Sequence, residues 1–598
     1  MQWLSDPTGA RCAQAMVAMR DGVRLNTFVF LPPAEDSAAL PVILHRTPYG
    51  IAAADAKDKF DAAHAWLPNP AEPMRGSILR GWRAITARGY AAIYQDCRGR
   101  HGSEGEDRVY ADDAADGHDT LEWIAAQPWC NGRVGMSGSS AGATTTFAAA
   151  ATRHPALRAF FAQAGGSSIY DDVVCEGQGI EMERLWLWVA KNIPGLSASH
   201  RAAVKERFGI GDAELDAAAE RAAARYTRLD AARLAEPPFV NSPDWLHLPL
   251  AGTPDFATWQ PFLDEIISHP APDSFRARHN FRATIDIPGF HVTSWFDIFQ
   301  TSVIAAFQEI QGRTGTQKLW IGPNEHYFVY AENFWPYDPY FEWFGHWLKD
   351  EPSALVAEPA VYYSPRAWVE NRASYRPDDW RRAERWPPPG VAPRRLYLRG
   401  DGSLGEAPGG DARHYTYDPR RPVPTYGGRN MLIEPGPLDQ RPAQALPDYG
   451  LIYTGAILRE PLTIAGNVRV TLQVQSDCPD TDFVAKLIEL MPDGRALLLM
   501  DGVLRALYRE PLEGAQPLLP GRVYQLTIDL GHIHHTLGAG SRLEIDVTSS
   551  NFPRRARNTN SGNPLLAADG DDAIRVAHNT VHHAPAAPSF LDLPLLRE

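Results

Sequence analysis

Cysteine is scarce in this 598-residue chain, which has five: Cys12, Cys97, Cys130, Cys175 and Cys478. No two of them show the C-x-x-C spacing, so neither a disulfide framework nor a cysteine-type zinc site is predicted. Long apolar runs are also missing, since none reaches the roughly 18 residues that a transmembrane helix needs. The first residues lack a basic stretch followed by an apolar one, and we therefore expect a cytoplasmic protein.

Basic residues are outnumbered, with 58 Lys and Arg against 72 Asp and Glu, for a formal net charge of -14 at pH 7. An acidic surface without a basic block repels phosphate backbones and anionic headgroups, so we expect neither a nucleic-acid nor a membrane partner. The remaining composition, 44% hydrophobic and 22% charged, is that of an ordinary globular protein. At roughly 150 residues per domain, this length predicts several domains.

The residue pattern divides the chain into four segments. Residues 1–167 alternate short apolar strands, such as 40–45, with helix-like stretches, which predicts a mostly parallel sheet covered by helices. Residues 168–283 are predicted to form a helical cap inserted into that α/β domain. The strand pattern returns over 284–355, the second part of the α/β domain. Residues 356–598 combine Pro and Gly clusters with short alternating strands, which is typical of a β jelly roll.

The most informative segment is 138–142, which reads Gly-Ser-Ser-Ala-Gly and fits the G-x-S-x-G nucleophile elbow. A strand pattern precedes it and a helix rich in small residues follows. Bulky residues at either glycine would collide with that strand and helix, and the helix N-terminus presents N–H groups where an oxyanion would form. Ser137 and Ser139 lie off the central position of the motif. Ser140 is therefore the predicted nucleophile.

A serine nucleophile needs a base to take its proton and an acid to orient that base. In α/β-hydrolases these partners follow the serine in the order acid, then histidine, on loops after later strands. Asp297 follows a predicted strand and two aromatic residues, and His326 follows a strand-ending Gly-Pro. Glu325 is a rival acid, but its position beside His326 would aim it away from the imidazole. We predict His326 as general base and Asp297 as orienting acid.

Five ordered segments match one known family: His-Arg-Thr-Pro-Tyr at 45–49, the loop at 95–105, the Ser140 elbow, Trp-Phe-Asp at 295–297 and Gly-Pro-Asn-Glu-His at 322–326. Two distal segments, at 480–487 and 549–553, match it as well. Over nearly its whole length the chain resembles the cocaine-esterase-like hydrolases, the group that also holds X-prolyl dipeptidyl aminopeptidases, α-amino acid ester hydrolases and glutaryl acylases. The resemblance implies an α/β-hydrolase domain with an inserted helical cap, followed by a C-terminal jelly-roll domain.

The resemblance also implies an oxyanion hole. In it, Tyr49 donates its phenolic O–H to the oxyanion beside the backbone N–H of Ala141, a sensible role because a phenol can stabilise developing alkoxide charge. The family usually has Tyr directly after the nucleophile, where this chain has Ala141. Every residue except proline has an N–H, so the oxyanion role survives and the pocket wall is expected to be more open.

Two further motifs are interpreted as structural. The loop at 95–105 contains Arg98, Arg100, His101 and Glu104, which we expect to form an ion-pair network bracing the elbow. The three histidines between 532 and 535 lie on strand-like sequence without a nearby acidic or Cys partner, so no metal site is predicted there. No metal or organic cofactor is expected for the chemistry.

The acyl pocket is the least defined part of the prediction. Phe299, two residues after Asp297, and the cap residues Trp186 and Trp188 are candidate pocket walls, although buried core tryptophans are an equally good interpretation. An aromatic pocket would favour an apolar or benzoyl-like acyl group.

The sequence predicts a serine carboxylesterase that cleaves esters of small to medium apolar or aromatic acyl groups through an acyl-serine. An acylase that acts on amides or amino esters is the alternative, and its substrate-ammonium site would need carboxylates. The residues directly after Asp297 supply none, which leaves Asp171 and Asp172 as candidates. An alternative of another class is a non-catalytic carbohydrate-binding protein that uses the jelly roll. The oligomeric state stays open, with a homodimer or higher homo-oligomer among the options.

Overall fold

The computed structural model describes most of the chain. The described residues are 3–5, 9–33, 39–51, 80–226, 245–253, 255–259, 261–270, 273–326, 337–370, 379–431, 433–510 and 514–597.

A large twisted sheet forms the centre of the α/β domain, as alternating apolar strands and helices predict. In the described part of the chain its eleven strands lie in the order β1-β2-β3-β5-β4-β6-β7-β10-β11-β12-β13. All pairs from β5 to β12 are parallel, and the strands at both ends are antiparallel. The strands are β1 Trp3–Ser5, β2 Arg11–Ala18, β3 Arg24–Leu31, β4 Leu40–Thr47, β5 Ala91–Asp96, β6 Cys130–Ser139, β7 Leu157–Gln163, β10 Gly289–Phe296, β11 Gln317–Glu325, β12 Val361–Tyr363 and β13 Arg381–Ala383.

Helices cover both faces of this sheet and bury two apolar clusters against it. On one face lie α2 Asp113–Ala125, α3 Ala141–Ala151 and α10 Gln300–Thr314; on the other lie α1 Trp82–Ala87, α11 Pro339–Lys349 and α12 Ala354–Ala357. Because parallel strands end at the same edge of a sheet, the loops after β6, β10 and β11 meet there. The sheet runs beyond the predicted boundary at residue 355, since β12 pairs with β11 and β13 pairs with β12. The large sheet thus includes residues up to 383, inside the segment that the sequence assigns to the jelly roll.

The cap lies between β7 and β10 and is mostly helical. It begins with a π-helical turn, Ile169–Val174, and a short hairpin, β8 Cys175–Glu176 and β9 Gly179–Ile180. Its helices are α4 Met182–Asn192, α5 Ala198–Phe208, α6 Asp212–Tyr226, α7 Phe256–Trp259, α8 Pro261–Ile267 and α9 Ser274–Arg278. Four residues of α4, Arg184, Leu185, Trp188 and Val189, contribute to the site described below.

The C-terminal domain is an antiparallel β-sandwich of the jelly-roll type. One sheet has the order β15-β14-β24-β18-β23-β16, with β21 also paired to β18, and the other has the order β17-β22-β19-β20. Its strands are β14 Val391–Leu398, β15 Leu404–Gly405, β16 Arg413–Tyr417, β17 Leu451–Thr454, β18 Leu462–Ser476, β19 Asp482–Leu490, β20 Ala496–Arg505, β21 Tyr524–Leu537, β22 Arg542–Thr548, β23 Ala577–Val581 and β24 Phe590–Leu596, with one short helix, α13 Arg441–Gln444. Among the helices in the described residues, none is long and apolar enough to cross a bilayer.

Candidate active site

The elbow between β6 and α3 has the strained geometry that its composition predicts. Ser140 has φ 56° and ψ −121°, a conformation that side chains larger than Gly rarely adopt. A Cβ on Gly138 would lie 2.1 Å from the carbonyl oxygen of Gly142, so only glycine fits there. The Ser140 N–H donates to the Gln163 carbonyl at 2.9 Å, which fixes the turn against β7.

The three predicted triad residues lie in one hydrogen-bonded row. The Ser140 Oγ is 3.1 Å from Nε2 of His326, and Nδ1 of His326 is 2.6 Å from Oδ1 of Asp297. All three side chains are buried. The distances are within the reach that proton transfer from a nucleophile to its base requires. The rival Glu325 is absent from this row and ends β11 instead.

Buried donors hold the Asp297 carboxylate on the imidazole. The Thr293 hydroxyl donates to Oδ2 at 2.7 Å, and the backbone N–H of Phe299 donates to Oδ1 at 3.1 Å. Asp297 is itself fully buried. A carboxylate with this many donors is fixed in orientation, and it therefore dictates which nitrogen of His326 carries the proton.

Neighbouring Ser137 belongs to a separate buried cluster below the elbow. Its hydroxyl is 2.9 Å from the Tyr340 hydroxyl and 3.2 Å from Nδ1 of His45. Burial lowers the pKa of His45 to about 4, so this imidazole is neutral near pH 7. We interpret this cluster as a structural link between β4, β6 and α11.

Tyr49 and Ala141 lie where an oxyanion hole would be. The Tyr49 hydroxyl is 3.4 Å from the Ser140 Oγ, and Ala141 is the first residue of α3. N–H groups in the first turn of a helix have no intrahelical acceptor, so the Ala141 N–H is available to a developing oxyanion. The phenol and the helix terminus thus supply two kinds of donor next to the nucleophile.

Replacing Tyr49 with phenylalanine is expected to lower kcat for ester hydrolysis by about 10²- to 10³-fold, because one oxyanion donor is lost. KM should change little, since the donor acts mainly in the transition state. Steady-state kinetics of the variant on one p-nitrophenyl ester measures both constants. A variant with wild-type kcat would contradict the role of Tyr49.

An apolar cavity of about 20 Å³ adjoins Ser140. Two of the three predicted pocket residues, Phe299 and Trp188, line it. The full lining is Val109, Tyr110, Ser140, Ala141, Val173, Arg184, Leu185, Trp188, Val189, Leu263, Ile298, Phe299 and Met431. The lining residues come from the edge of the sheet, from the cap and, at Met431, from the jelly-roll domain.

The third predicted pocket residue, Trp186, requires a correction. Its side chain is fully buried and packs edge-on against Phe256 of α7, in the core of the cap. The physical reason is helical phase, because residues two apart on a helix point about 200° apart. Trp188 therefore faces the cavity and Trp186 faces away from it.

Arg184 and Glu183 on α4 form hydrogen bonds with the segments that surround the pocket. No sequence pattern predicts a role for either residue. Arg184 donates to the carbonyl oxygens of Ile298, Asp172 and Val173 at 2.8–2.9 Å, and its guanidinium lies 4.9 Å from the centre of the Phe299 ring. Burial lowers the pKa of Arg184 to about 10, so it stays charged near neutrality.

The carboxylate of Glu183 fixes the jelly-roll loop that reaches the pocket. It accepts from the backbone N–H of Met431 at 3.1 Å and of Ile433 at 3.2 Å. A lone acidic residue on a cap helix carries no pattern that would reveal a contact about 250 residues away in the chain.

The carboxylates proposed for an ammonium site are already engaged. Asp172 accepts from both the N–H and the hydroxyl of Ser167 and from Ser302, and it forms a 2.9 Å ion pair with Arg282. Asp171 is ion-paired with Arg276. Neither residue is among those that line the cavity beside Ser140. The arrangement gives no support to an ammonium site built from this pair.

The loop at 95–105 forms the expected ion-pair network. Arg98 pairs with Asp116 at 2.6 Å, and Arg100 pairs with Asp107. Glu104 pairs with Arg24 at the surface. The ring of His101 packs against Gly50, and its Nε2 is 3.2 Å from the carbonyl oxygen of Pro48. This loop therefore also supports the turn that carries Tyr49.

The histidines of β21 have separate structural partners. His532 accepts from the indole N–H of Trp386 at 3.0 Å, His534 contacts the Pro365 carbonyl, and His535 pairs with Glu489. In the residues that the structure describes, no group of three or more His, Cys, Asp or Glu side chains is arranged to hold a metal ion.

Comparisons with known proteins identify the family. The model of the X-Pro dipeptidyl-peptidase (S15 family) matches residues 21–328, and the model of the X-Pro dipeptidyl-peptidase C-terminal non-catalytic domain matches residues 348–592. Cocaine esterase of Rhodococcus sp. (strain MB1 Bresler) is 31% identical, over 98% of both chains.

Two solved structures share the fold over nearly the whole chain. An aminopeptidase from the marine sediment archaeon Thaumarchaeota archaeon superposes with a TM-score of 0.72 and 24% identity, covering 100% of this chain and 98% of its own. An α-amino acid ester hydrolase superposes with a TM-score of 0.72 and 22% identity, covering 99% and 98%. Since the family models match both domains and the elbow lies within the first, the chain belongs to the X-Pro dipeptidyl-peptidase S15 family.

Proposed function

We propose that this chain is a serine carboxylesterase that cleaves esters of small to medium apolar or aromatic acyl groups through an acyl-serine. The observation that carries the proposal is the hydrogen-bonded row of Tyr49, Ser140, His326 and Asp297 beside an apolar cavity. Such a row can activate a hydroxyl, bind an oxyanion and hold an acyl group.

The reaction follows from the position of each group. His326 takes the Ser140 proton as Oγ attacks the ester carbonyl, and Asp297 stabilises the imidazolium that forms. Tyr49 and the Ala141 N–H donate to the tetrahedral oxyanion. The oxyanion collapses, the alcohol leaves with the proton from His326, and an acyl-serine remains. Water, deprotonated by His326, then attacks the acyl-serine. The second oxyanion collapses, His326 returns the proton to the Ser140 Oγ, and the acid leaves.

The pocket supports an apolar acyl group over a charged one. Its lining is almost entirely aliphatic and aromatic, and its one charged member, Arg184, already donates to three backbone carbonyls. Tyr110, Trp188 and Phe299 in this lining suit aromatic as well as aliphatic acyl groups. The Rhodococcus relative is named for an ester substrate, which supports the ester reaction.

Hydrolysis of p-nitrophenyl esters from acetate to octanoate, together with benzoate, tests the proposal. We expect turnover of the short and medium acyl esters and of the benzoate, with kcat/KM lower for octanoate. The matching p-nitroanilides test the acylase alternative, and we expect them to react far more slowly. A wild-type protein inert on every ester would contradict the proposal, and turnover of the anilides alone would favour the acylase. Inertness on both series would favour the non-catalytic alternative.

Replacing Leu185 with alanine is expected to shift chain-length preference toward longer esters. Leu185 lines the cavity, and removing three carbons creates space for longer chains. A size difference of one methylene in an apolar pocket changes the discrimination between two substrates by about 1–3 kcal/mol. We therefore expect the ratio of kcat/KM for octanoate to that for acetate to rise at least about tenfold. Leu187→Ala is the matched control, because Leu187 is buried on the same helix away from the cavity. Equal shifts in both variants would contradict the assignment of this cavity as the acyl pocket.

A further inference from the structure

The indole of Trp188 does more than line the pocket. Its Nε1–H donates to the Tyr49 hydroxyl oxygen at 3.3 Å, and that hydroxyl donates to the Ser140 Oγ at 3.4 Å. The three side chains form a second hydrogen-bonded row, which reaches the nucleophile from the cap.

The direction of this row follows from the chemistry of its members. An indole N–H can only donate, whereas a phenol has one proton to give and lone pairs to accept with. Trp188 therefore occupies a lone pair of the Tyr49 oxygen and cannot take its proton. The phenolic proton is left to point toward Ser140, which is where the oxyanion forms beside the nucleophile.

Two contacts hold the indole in place. The guanidinium of Arg100 lies 5.2 Å from the centre of the Trp188 ring, and the Tyr110 ring lies 5.7 Å from it. Arg100 is buried, pairs with Asp107 and donates to the Asn192 carbonyl at 2.8 Å, so its own position is fixed. A cation on the face of an indole is attracted to the ring. The loop at 95–105 thus reaches the oxyanion hole through Trp188.

We propose that Trp188 is a positioning residue that orients and polarises the Tyr49 hydroxyl as an oxyanion donor. The proposal deepens the proposed function and rests on it. Hydrogen bonds in a row strengthen one another, so a donor to the Tyr49 oxygen makes its O–H a stronger donor in turn. The indole N–H acts on the transition state through Tyr49, so this part of the Trp188 effect must vanish when the Tyr49 hydroxyl is absent.

A double-mutant cycle between Trp188→Phe and Tyr49→Phe tests this directly. In the wild-type background, Trp188→Phe should lower kcat about threefold to tenfold, the size of one hydrogen bond, with KM nearly unchanged. In the Tyr49→Phe background, the same change should lower kcat less than twofold. Trp186→Phe on the same helix is the control for a Trp-to-Phe change, and it should leave kcat unchanged in both backgrounds.

A second variant separates the N–H group from the shape of the ring. Replacing Trp188 by 3-benzothienylalanine keeps the bicyclic ring and removes only the donor. This variant should show the same kcat loss as Trp188→Phe, and an arylboronate that forms a tetrahedral adduct with the serine should bind more weakly by a similar factor.

Two results would overturn the proposal while leaving the esterase intact. The first is an equal kcat loss from Trp188→Phe in both backgrounds, which would make Trp188 a pocket wall only. The second is a benzothienylalanine variant with wild-type kcat. Failure of the proposed function would appear differently, as activity that survives the loss of Ser140.

Discussion

Replacing Ser140 with alanine is expected to lower kcat for ester hydrolysis by about 10⁶-fold, the loss seen when a serine hydrolase is left without its nucleophile. The strained elbow aims the Ser140 oxygen at Nε2 of His326, and alanine leaves no hydroxyl at that position. Initial rates on p-nitrophenyl acetate at high protein concentration can measure so large a loss. Thermal unfolding of the variant should stay near wild type.

Ser139→Ala is the matched control for this change. Ser139 is the adjoining residue at the end of β6, and within the described part of the chain no hydrogen bond joins it to His326. It should retain kcat within about tenfold of wild type. The account would be wrong if Ser140→Ala kept most of its activity, or if Ser139→Ala lost as much.

Replacing Asp297 with asparagine is expected to lower kcat by about 10⁴-fold. An asparagine fits the same space, but its amide presents a donor where Nδ1–H of His326 needs an acceptor, and the imidazole is left in the wrong tautomer. The site is fully buried and already holds donors from Thr293 and Phe299, so water cannot correct the mismatch. Steady-state kinetics at several pH values measures the loss.

Glu325→Gln tests the rival acid under the same conditions. Glu325 lies next to His326 in the sequence but outside the hydrogen-bonded row. We therefore expect the kcat of the Glu325→Gln variant to be less than about tenfold below that of wild type. A larger loss from Glu325→Gln than from Asp297→Asn would reverse the assignment of the orienting acid.

The elbow and the fold classes could be predicted from the sequence because local sterics and periodicity determine them. At Gly138 a side chain of any size would meet the Gly142 carbonyl, and that constraint is visible in the motif itself. The approximate segments were predictable too, since a parallel sheet, a helical cap and an antiparallel sandwich differ in their hydrophobic period. The loops after β10 and β11 meet because parallel strands end at the same edge of the sheet.

The pocket was less predictable because it is assembled from distant parts of the chain. Helical phase alone could have separated Trp188 from Trp186, and it places Arg184, Leu185, Trp188 and Val189 on one face of α4. No local pattern marks Met431, which reaches the cavity only after the jelly roll docks on the cap. The short strands β12 and β13 were missed for a similar reason, since three residues are too few to show a period.

Chemical labelling can identify the nucleophile of the acyl-transfer site. The experiment treats the wild-type protein with a fluorophosphonate, digests it and locates the modified peptide by mass spectrometry. The account predicts one phosphonyl group per chain, attached to Ser140, with loss of esterase activity in proportion to labelling. A label on Ser137, Ser139 or any other residue, or no label at all, would contradict it.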